Sequence, residues 1–448
     1  MGAGAGGTGC TYRLIKNGIK AVVVDKNPDF GGTAVFCGVD GWEPGVSLDG
    51  IHNEIQKKLF QMPSACHTTR MVPNMNLFDP SVGTDWSKHS FEKLPFGFCM
   101  PMGDSYGDTL GRCISIRGTD GPMKRFQFEG KCYTEAVHSI FEPFSENLTP
   151  MFGYNYVSCK KENGKLLSIT VTTGEITVEI FADVFVDASG DIVLARDAGC
   201  DYTIGTEGFE SYSEPSATQQ SDTINAVSYV FRIGKTEDTQ HIDTLPEWVK
   251  SIDLEKWKAE EMKQCLSFTV QYPNGDINVN MLPTMQGTEY FELGDKADKA
   301  GKARVYAYWH YLQTDKNMSG YTIKHIYDAG IRESYRLKGK YVLREQDLRQ
   351  GILRQPKVGR TVAIADHAMD IHGKDGICKE LIVPYEIPLE CSMTKEYDNL
   401  FVACRGASFT HIAASSARLT RTMLSFGEGV GEYISELLTD TNDGEMML

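Results

Sequence analysis

Gly2, Gly4 and Gly7 stand in the spacing G-x-G-x-x-G inside the opening run Met-Gly-Ala-Gly-Ala-Gly-Gly-Thr. These residue types in this order suit the seating of a dinucleotide. Gly2 permits a tight strand-to-helix turn, Gly4 lets a pyrophosphate approach bare backbone, and Gly7 lets helix and strand pack closely, with the phosphates at the helix N-terminus. Asp25 follows where a carboxylate is needed for a ribose diol, and its charge repels a 2'-phosphate. A second pair, Gly31 and Gly32 with Thr33, comes shortly after Asp25. A nicotinamide dinucleotide has no need of this turn. FAD is longer, runs past the first turn and requires side-chain-free backbone again; a plain loop with two glycines is the alternative.

Hydride chemistry on such a cofactor leaves a proton to be moved, and histidine is the side chain best poised for that near neutral pH. His372, in Asp370-Ile371-His372, and His310, in Tyr308-Trp309-His310-Tyr311, are the candidates, with His67 third. Each competes with a bland role as a hydrogen-bonded structural histidine. Arg332 and Arg336 lie four apart in Ile331 to Tyr341, which reads as a basic helix with both arginines on one face. A solvated charged face is the default for such a pair; turned to a pocket, it would bind a carboxylate or phosphate.

The elements that must position these groups follow from hydrophobic patterning. Cys10 to Asn17 reads as a helix closed by Gly18, and Ile19 to Val24 as a buried strand. The motif also calls for a strand ahead of Gly2, where this sequence has Met1, so either the chain starts too late or another segment supplies that strand; otherwise the sheet lacks its central strand and nucleotide affinity suffers. Residues 51–125, rich in Pro, Gly, Met and aromatics, read as a loop-rich excursion that could line a pocket. A helix is predicted over Lys131 to Phe144. A meander follows over 151–181, with strands at Met151 to Ser158, Leu166 to Thr173 and Ile176 to Ile180. Ala182 to Asp187 is a buried strand ending in Ser189-Gly190-Asp191, which places that turn at the carboxyl edge of the sheet. Strand runs are read at Ala226 to Ile233 and Val305 to Leu312. Asn399 to Ala403 is a further buried strand, followed by a small-residue turn and a helical stretch, Ala414 to Leu438, broken at Gly427, Glu428 and Gly429.

Composition narrows the class. A length of 448 residues implies two or three domains, and a net charge of -15 argues against nucleic acid or an anionic membrane surface as partner. The 12 cysteines form no C-x-x-C and no cluster with histidine, so reduced thiols in a cytosolic protein are expected rather than a disulfide scaffold or a metal site. No apolar run reaches the roughly 18 residues of a membrane span.

Taken together, GAGAGGTGCTYRLIKNGIKAVVVDKNPDFGGTA, the DASGD turn, IRESYRLKGKYVL, ADHAMDIHG and NLFVACRGASFTHIAASSARLTRTMLSFGEGVG resemble the FAD-dependent oxidoreductase family, distantly related to fumarate reductase flavoproteins. The resemblance implies an α/β fold with a Rossmann-like, discontinuous FAD-binding domain (residues 1–205 and 361–448) and an inserted α+β cap or substrate domain (206–360). It implies that Gly2, Gly4, Gly6 and Gly7 hold the pyrophosphate, that Asp25, with Lys26 beside it, serves the ribose, and that Gly31, Gly32 and Thr33 form a second phosphate face. Ser189, Gly190 and Asp191 match the family's TGD turn, with serine for threonine. Arg418, Gly427, Glu428 and Gly429 match its C-terminal flavin-side motif, and Cys404 stands where the family has glycine. The implied activity is hydride transfer between a small organic substrate and flavin N5. An NAD-dependent dehydrogenase and a flavin-free, non-catalytic remnant are the alternatives. Substrate, electron acceptor, reaction direction and oligomeric state are not written in these patterns.

Overall fold

The computed structural model describes residues 1–42, 45–46, 49–70, 72–73, 99–100, 124–251, 266–316, 318–373, 376–381 and 383–445. The nucleotide-type sheet is built from two parallel pairs. Ala21–Asp25 pairs with Leu148–Phe152, and Phe185–Asp187 pairs with Leu400–Val402. Phe185–Asp187 and Leu400–Val402 are short, largely buried runs of the kind found inside a parallel sheet, whereas Leu148–Phe152 is half-buried to exposed. Between the pairs lies the start of the chain. Gly2 donates its amide to Val24 at 2.7 Å, the Met1 ammonium reaches the Val186 carbonyl at 2.5 Å, and Ala188 donates to Met1 at 2.6 Å. Among the described residues no further strand occupies this inner position.

The first helix, Ala5–Lys16, ends at Asn17 and Gly18 as its sequence indicates, with Gly18 at φ +80. It runs parallel to the long C-terminal helix, Thr420–Glu445. The glycines of that helix do not break it. A Cβ at Gly427 would lie 1.9 Å from the Gly6 carbonyl oxygen, and one at Gly431 would lie 2.7 Å from that of Cys10. The missing side chains thus let two backbones approach, which is how a helix tolerates glycines that each cost roughly 1 kcal/mol against alanine.

Other expectations are adjusted. Residues 51–61, read as loop, form the helix Ile51–Gln61, capped by Glu428, whose carboxylate accepts the Ile51 amide at 2.8 Å. Most of the excursion beyond it, including Leu94 to Phe98, lies outside the described residues. The predicted strand Met151 to Ser158 divides at Gly153, φ +78. Its first part joins the parallel sheet and its second opens the meander Asn155–Glu162, Lys165–Thr172, Thr177–Phe181.

The middle of the chain has its own sheet of five strands. Val227–Lys235 lies between Tyr321–Ile326 and Ile277–Met285, with Leu266–Gln271 and Val72–Pro73 beyond. Val305 to Leu312, read as a strand, belongs instead to the helix Ala297–Asp315. Val305, Tyr308, Trp309 and Leu312 fall at i, i+3, i+4 and i+7, and all are buried in one apolar cluster with Tyr229, Phe231, Val279 and Met281. Among the described residues no helix is long and apolar enough to cross a membrane.

Candidate functional site

The glycines of the first helix have different neighbours. A Cβ at Gly2 (φ +100) would meet the Ala188 carbonyl at 2.3 Å, one at Gly6 the Ala403 oxygen at 1.7 Å, and one at Gly7 the Gly2 oxygen at 1.8 Å. These three are glycine for packing. Gly4 differs, because the nearest atom to its absent Cβ is the Gly32 Cα at 3.9 Å. Gly32, at φ +49, would bring its own Cβ within 2.7 Å of the Gly4 Cα. The two glycine loops therefore pack backbone on backbone, with Gly31 donating its amide to the Ala3 carbonyl at 3.0 Å, and the side of Gly4 is left open. No side chain caps the helix that starts at Ala5, so its first amides are left for an anion. Asp25 closes the turn by accepting the amides of Ala3 at 2.6 Å and Asn27 at 2.8 Å. This cradle fits a dinucleotide.

The Ser189 turn is shaped by Asp187, fully buried, which accepts the Ser189 amide (3.0 Å), the Ser189 hydroxyl (2.6 Å) and the Ala195 amide (2.9 Å). The Asp191 carboxylate receives Arg405 at 2.7 Å and Ser334 at 2.7 Å. Residues 331–341, expected as a helix, form no helix and are irregular apart from the two-residue strand Arg336–Leu337. Their backbone is drawn into contacts with distant partners instead, as in Leu337 with Gly406 (2.9 Å) and Lys338 with Asp201 (2.9 Å).

This correction separates the two arginines. Arg336 is fully buried and paired with Glu207 at 3.0 Å and Glu333 at 3.1 Å, and Glu333 in turn accepts from His411 at 2.7 Å. Its guanidinium is spent within the fold. Among the described residues Arg332 donates to neutral acceptors, the Ala226 carbonyl at 3.0 Å and the Ser228 hydroxyl at 2.7 Å. Burial and the neighbouring Arg418 push its pKa down to about 9.

Beside Arg332 stands His372, whose Nε2 lies 2.7 Å from Asp370 Oδ2. Asp370 also meets Arg418, through its carbonyl at 3.3 Å and its carboxylate at 3.4 Å. Burial would raise the Asp370 carboxyl, but the His372 hydrogen bond and the Arg418 charge outweigh it and hold it well below the usual range. Burial lowers His372 as well, more than its bond to Asp370 raises it. A neutral imidazole facing an ionised carboxylate must carry its hydrogen on Nε2, which leaves the lone pair on Nδ1. Asn225 locks the backbone here, donating to the Asp370 carbonyl at 3.0 Å and accepting the His372 amide at 3.0 Å.

The first and last helices pack side by side with their starts staggered. Gly6 sits one residue into the first helix and Gly427 seven into the last, so the C-terminal helix projects six residues beyond the start of its neighbour. At 1.5 Å per residue this is roughly 9 Å; Arg418 lies before that helix, as the C-cap of His411–Ala417.

Other expected residues are placed elsewhere. His310 lies on the helix Ala297–Asp315, and His67 contacts the Gln271 carbonyl in a strand of a different sheet. Gly427 packs on Gly6 and Gly429 on Val362, while Glu428 pairs with Arg13 at 3.0 Å, so these three have structural partners rather than an open face. Asp370, Arg405, Asn225 and the Glu333–His411 pair were missed from the sequence. For Asp370 a signal was present, since residues i and i+2 of an extended segment share a side.

Residues 105–441 match the family described as FAD dependent oxidoreductase. The chain belongs to the FAD-dependent oxidoreductase family. The matched stretch contains the Ser189 turn, Arg332, His372 and Arg405, and begins after the glycine loops. This family membership settles the cofactor as FAD and the class as an oxidoreductase enzyme. No curated protein matches. Solved structures similar to this family member include a geranylgeranyl bacteriochlorophyll reductase-like protein from Thermoplasma acidophilum, at 11% identity and TM-score 0.45, covering 99% of this chain and 78% of that one. Flavin-dependent brominase Bmp2 follows at 12% identity and TM-score 0.44, covering 98% and 78%. CabE, an aromatic hydroxylase from angucycline biosynthesis, gives 9% identity and TM-score 0.42, covering 98% of this chain, which spans 61% of the hydroxylase.

Proposed function

We propose that this FAD-dependent oxidoreductase transfers a hydride between a carbon of a small organic substrate and flavin N5, with His372 moving the accompanying proton at Nδ1. The Asp370–His372 pair beside two arginines is the observation that carries this reading. FAD, when bound, supplies the hydride acceptor, and the backbone around Gly4 and Gly31 to Thr33, in the turn that Gly2 and Gly7 allow to pack closely and beside Asp25, would hold it. His372 is a neutral base that takes a proton at Nδ1, and Asp370 stabilises the imidazolium that results by accepting from Nε2. Arg332, with no carboxylate of its own, holds a negative substrate group against that base. Residues 206–360 act as the cap that closes over this junction and excludes water.

The test is anaerobic reduction of the bound flavin by a panel of small alcohols, amines and hydroxy acids, followed in the flavin's visible band. For any substrate that reduces the wild type, His372→Ala slows reduction by about 100-fold with FAD retained. Equal rates in the two proteins would remove His372 from the chemistry and direct the search to His310.

A further inference from the structure

Asn225 lies two residues ahead of the strand Val227–Lys235, where the chain enters the middle sheet, and is 2% exposed. Its side chain acts as a strand partner for the segment that carries the proton site. Met369–Ile371 pairs along one edge with Ile377–Lys379. Along the other edge the Asn225 side-chain amide donates to the Asp370 carbonyl and accepts the His372 amide, both at 3.0 Å, and the backbone amide of Ala226 donates to the His372 carbonyl at 3.1 Å. A carbonyl only accepts and a peptide N–H only donates, so the partners fix which end of the Asn225 amide points where. Bonds to residues i and i+2 hold the torsions of Ile371 between them. That is the condition for Asp370 and His372 to share one side and meet at 2.7 Å.

Asn225 is itself held from behind. Its backbone amide donates to Glu333 Oε2 at 2.8 Å, and the same oxygen lies 2.7 Å from His411 Nδ1. Glu333 is 3% exposed and pairs with the fully buried Arg336 at 3.1 Å. Buried ion clusters of this kind add little net stability; what this one supplies is a fixed acceptor for the Asn225 backbone. Glycines let the neighbouring chains close in. A Cβ on Gly287 would lie 2.5 Å from the Asn225 carbonyl oxygen, and one on Gly373, at φ +106, would lie 3.2 Å from the Ala226 Cβ. The Ala226 carbonyl in turn accepts Arg332 at 3.0 Å, so residues 225 and 226 together touch the segments of both His372 and Arg332.

We propose that Asn225 is a positioning residue for the proton site: its amide holds residues 370–372 in the backbone conformation that brings His372 onto Asp370, and the Glu333–His411 pair is its anchor. The catalytic part of this role rests on the reading of His372 as the base; the control of His372 by Asn225 does not.

The experiment reads His372 directly. FAD-loaded protein with isotope-labelled histidine is titrated by NMR from about pH 5 to pH 8, the range around the ordinary histidine value, for wild type, Asn225→Ala and Asn225→Gln, and the His372 resonance is assigned by its loss in His372→Ala. Thermal unfolding and the flavin's visible band report folding and cofactor retention. The charged groups that face His372 are Asp370, Arg332 and Arg418, and all three remain in these variants. In the wild type, burial holds the midpoint below 6.5 against the bond to Asp370. Asn225→Ala frees the segment, the ring meets water, and the larger influence, burial, is relieved, so the midpoint rises toward 6.5. This is opposite in sign to the loss of the Asp370 charge alone. With a substrate from the same panel of alcohols, amines and hydroxy acids, the limiting rate of flavin reduction falls about 10- to 100-fold, the scale for a base displaced by about 1 Å. KM changes little, because Arg332 keeps its bond to Ser228. Asn225→Gln, whose amide sits one methylene further out and cannot serve both partners from the same backbone position, gives the same pattern and is the readout if the alanine variant does not fold. A lowered melting temperature with midpoint and limiting rate unchanged would make Asn225 structural only and overturn the proposal, as would wild-type values throughout. The midpoint needs no substrate and no hydride transfer: if His372→Ala reduces its flavin at the wild-type rate the proposed function fails, while a midpoint that responds to Asn225→Ala upholds the control of His372 by Asn225.

Discussion

Ser334 donates its hydroxyl to Asp191 at 2.7 Å across 143 residues of sequence. This bond ties the small-residue turn at the edge of the nucleotide sheet to an irregular segment that, two residues earlier, delivers Arg332 to the neighbourhood of His372. The bond therefore links the cofactor cradle to the proposed proton site. A shift of the 331–336 segment would be felt at both.

The Asp370–His372 bond sets the pH behaviour. His372 is held below the ordinary histidine value near 6.5, so its base form prevails through neutral pH and flavin reduction falls only on the acid side of that value. Asp370→Asn removes the interaction that raises the His372 pKa, so the acid fall moves to lower pH, and the amide can invert the imidazole tautomer. Reduction in this variant is expected to slow by about 100-fold with FAD retained. A pH profile of the reduction rate checks both effects.

Stability falls with acid for a reason seated in the core. His52 is wholly buried, with its Nδ1 3.2 Å from Ser425 Oγ, and burial pushes its pKa down to about 3. The unfolded imidazole takes its proton near pH 6.5, whereas the folded one stays neutral to about pH 3. Below 6.5 the unfolded state binds more protons, so this residue removes about 1.4 kcal/mol of stability per pH unit. Asp370, with a depressed carboxyl, acts in the same direction, its contribution being complete above the ordinary carboxylate value and lost below it. Urea unfolding from pH 7 to pH 4 should show the decline, and His52→Asn should flatten it.

Two glycine substitutions separate cofactor binding from folding. Gly4→Ala meets nothing closer than 3.9 Å, so the apo-protein keeps its stability, but the methyl projects toward Gly32 and FAD binding weakens by at least 10-fold. Gly427→Ala drives a methyl onto the Gly6 oxygen and costs about 1–3 kcal/mol or more. Apo-protein melting and FAD titration on both variants distinguish the two.

Arg332 and Arg336 should part company in the same way. Arg336→Met leaves Glu207 and Glu333 buried without their cation, a loss of about 3–5 kcal/mol. Arg332→Met relieves the repulsion from Arg418 but removes the donor to the Ala226 carbonyl and the Ser228 hydroxyl, so stability falls by about 1–2 kcal/mol, less than for Arg336, while KM for an anionic substrate rises about 10-fold. Denaturant melts and steady-state kinetics on the two variants provide the comparison.

Local chemistry was enough to read the nucleotide sheet. Glycine spacing and an acidic residue after an apolar run are consequences of neighbouring residues, so the turns at Gly2 to Gly7, Asp25 and Gly31 to Thr33 were legible as local structure before any coordinates. The Val305 to Leu312 helix was legible too, in its i, i+3, i+4, i+7 spacing, but aromatic and β-branched residue types pointed the other way. What the chain does at residues 331–341 was not legible. Helical charge spacing is a weak local preference, and in this segment it is overridden by hydrogen bonds and ion pairs to Ser228, Glu207, Asp191 and Gly406, each more than a hundred residues away or in another element. Only tertiary structure could decide that Arg336 is consumed in a buried ion pair, that Arg332 is not, and that Asn225 holds the backbone of His372, because the partners that decide each case are distant in sequence and close only in the folded chain.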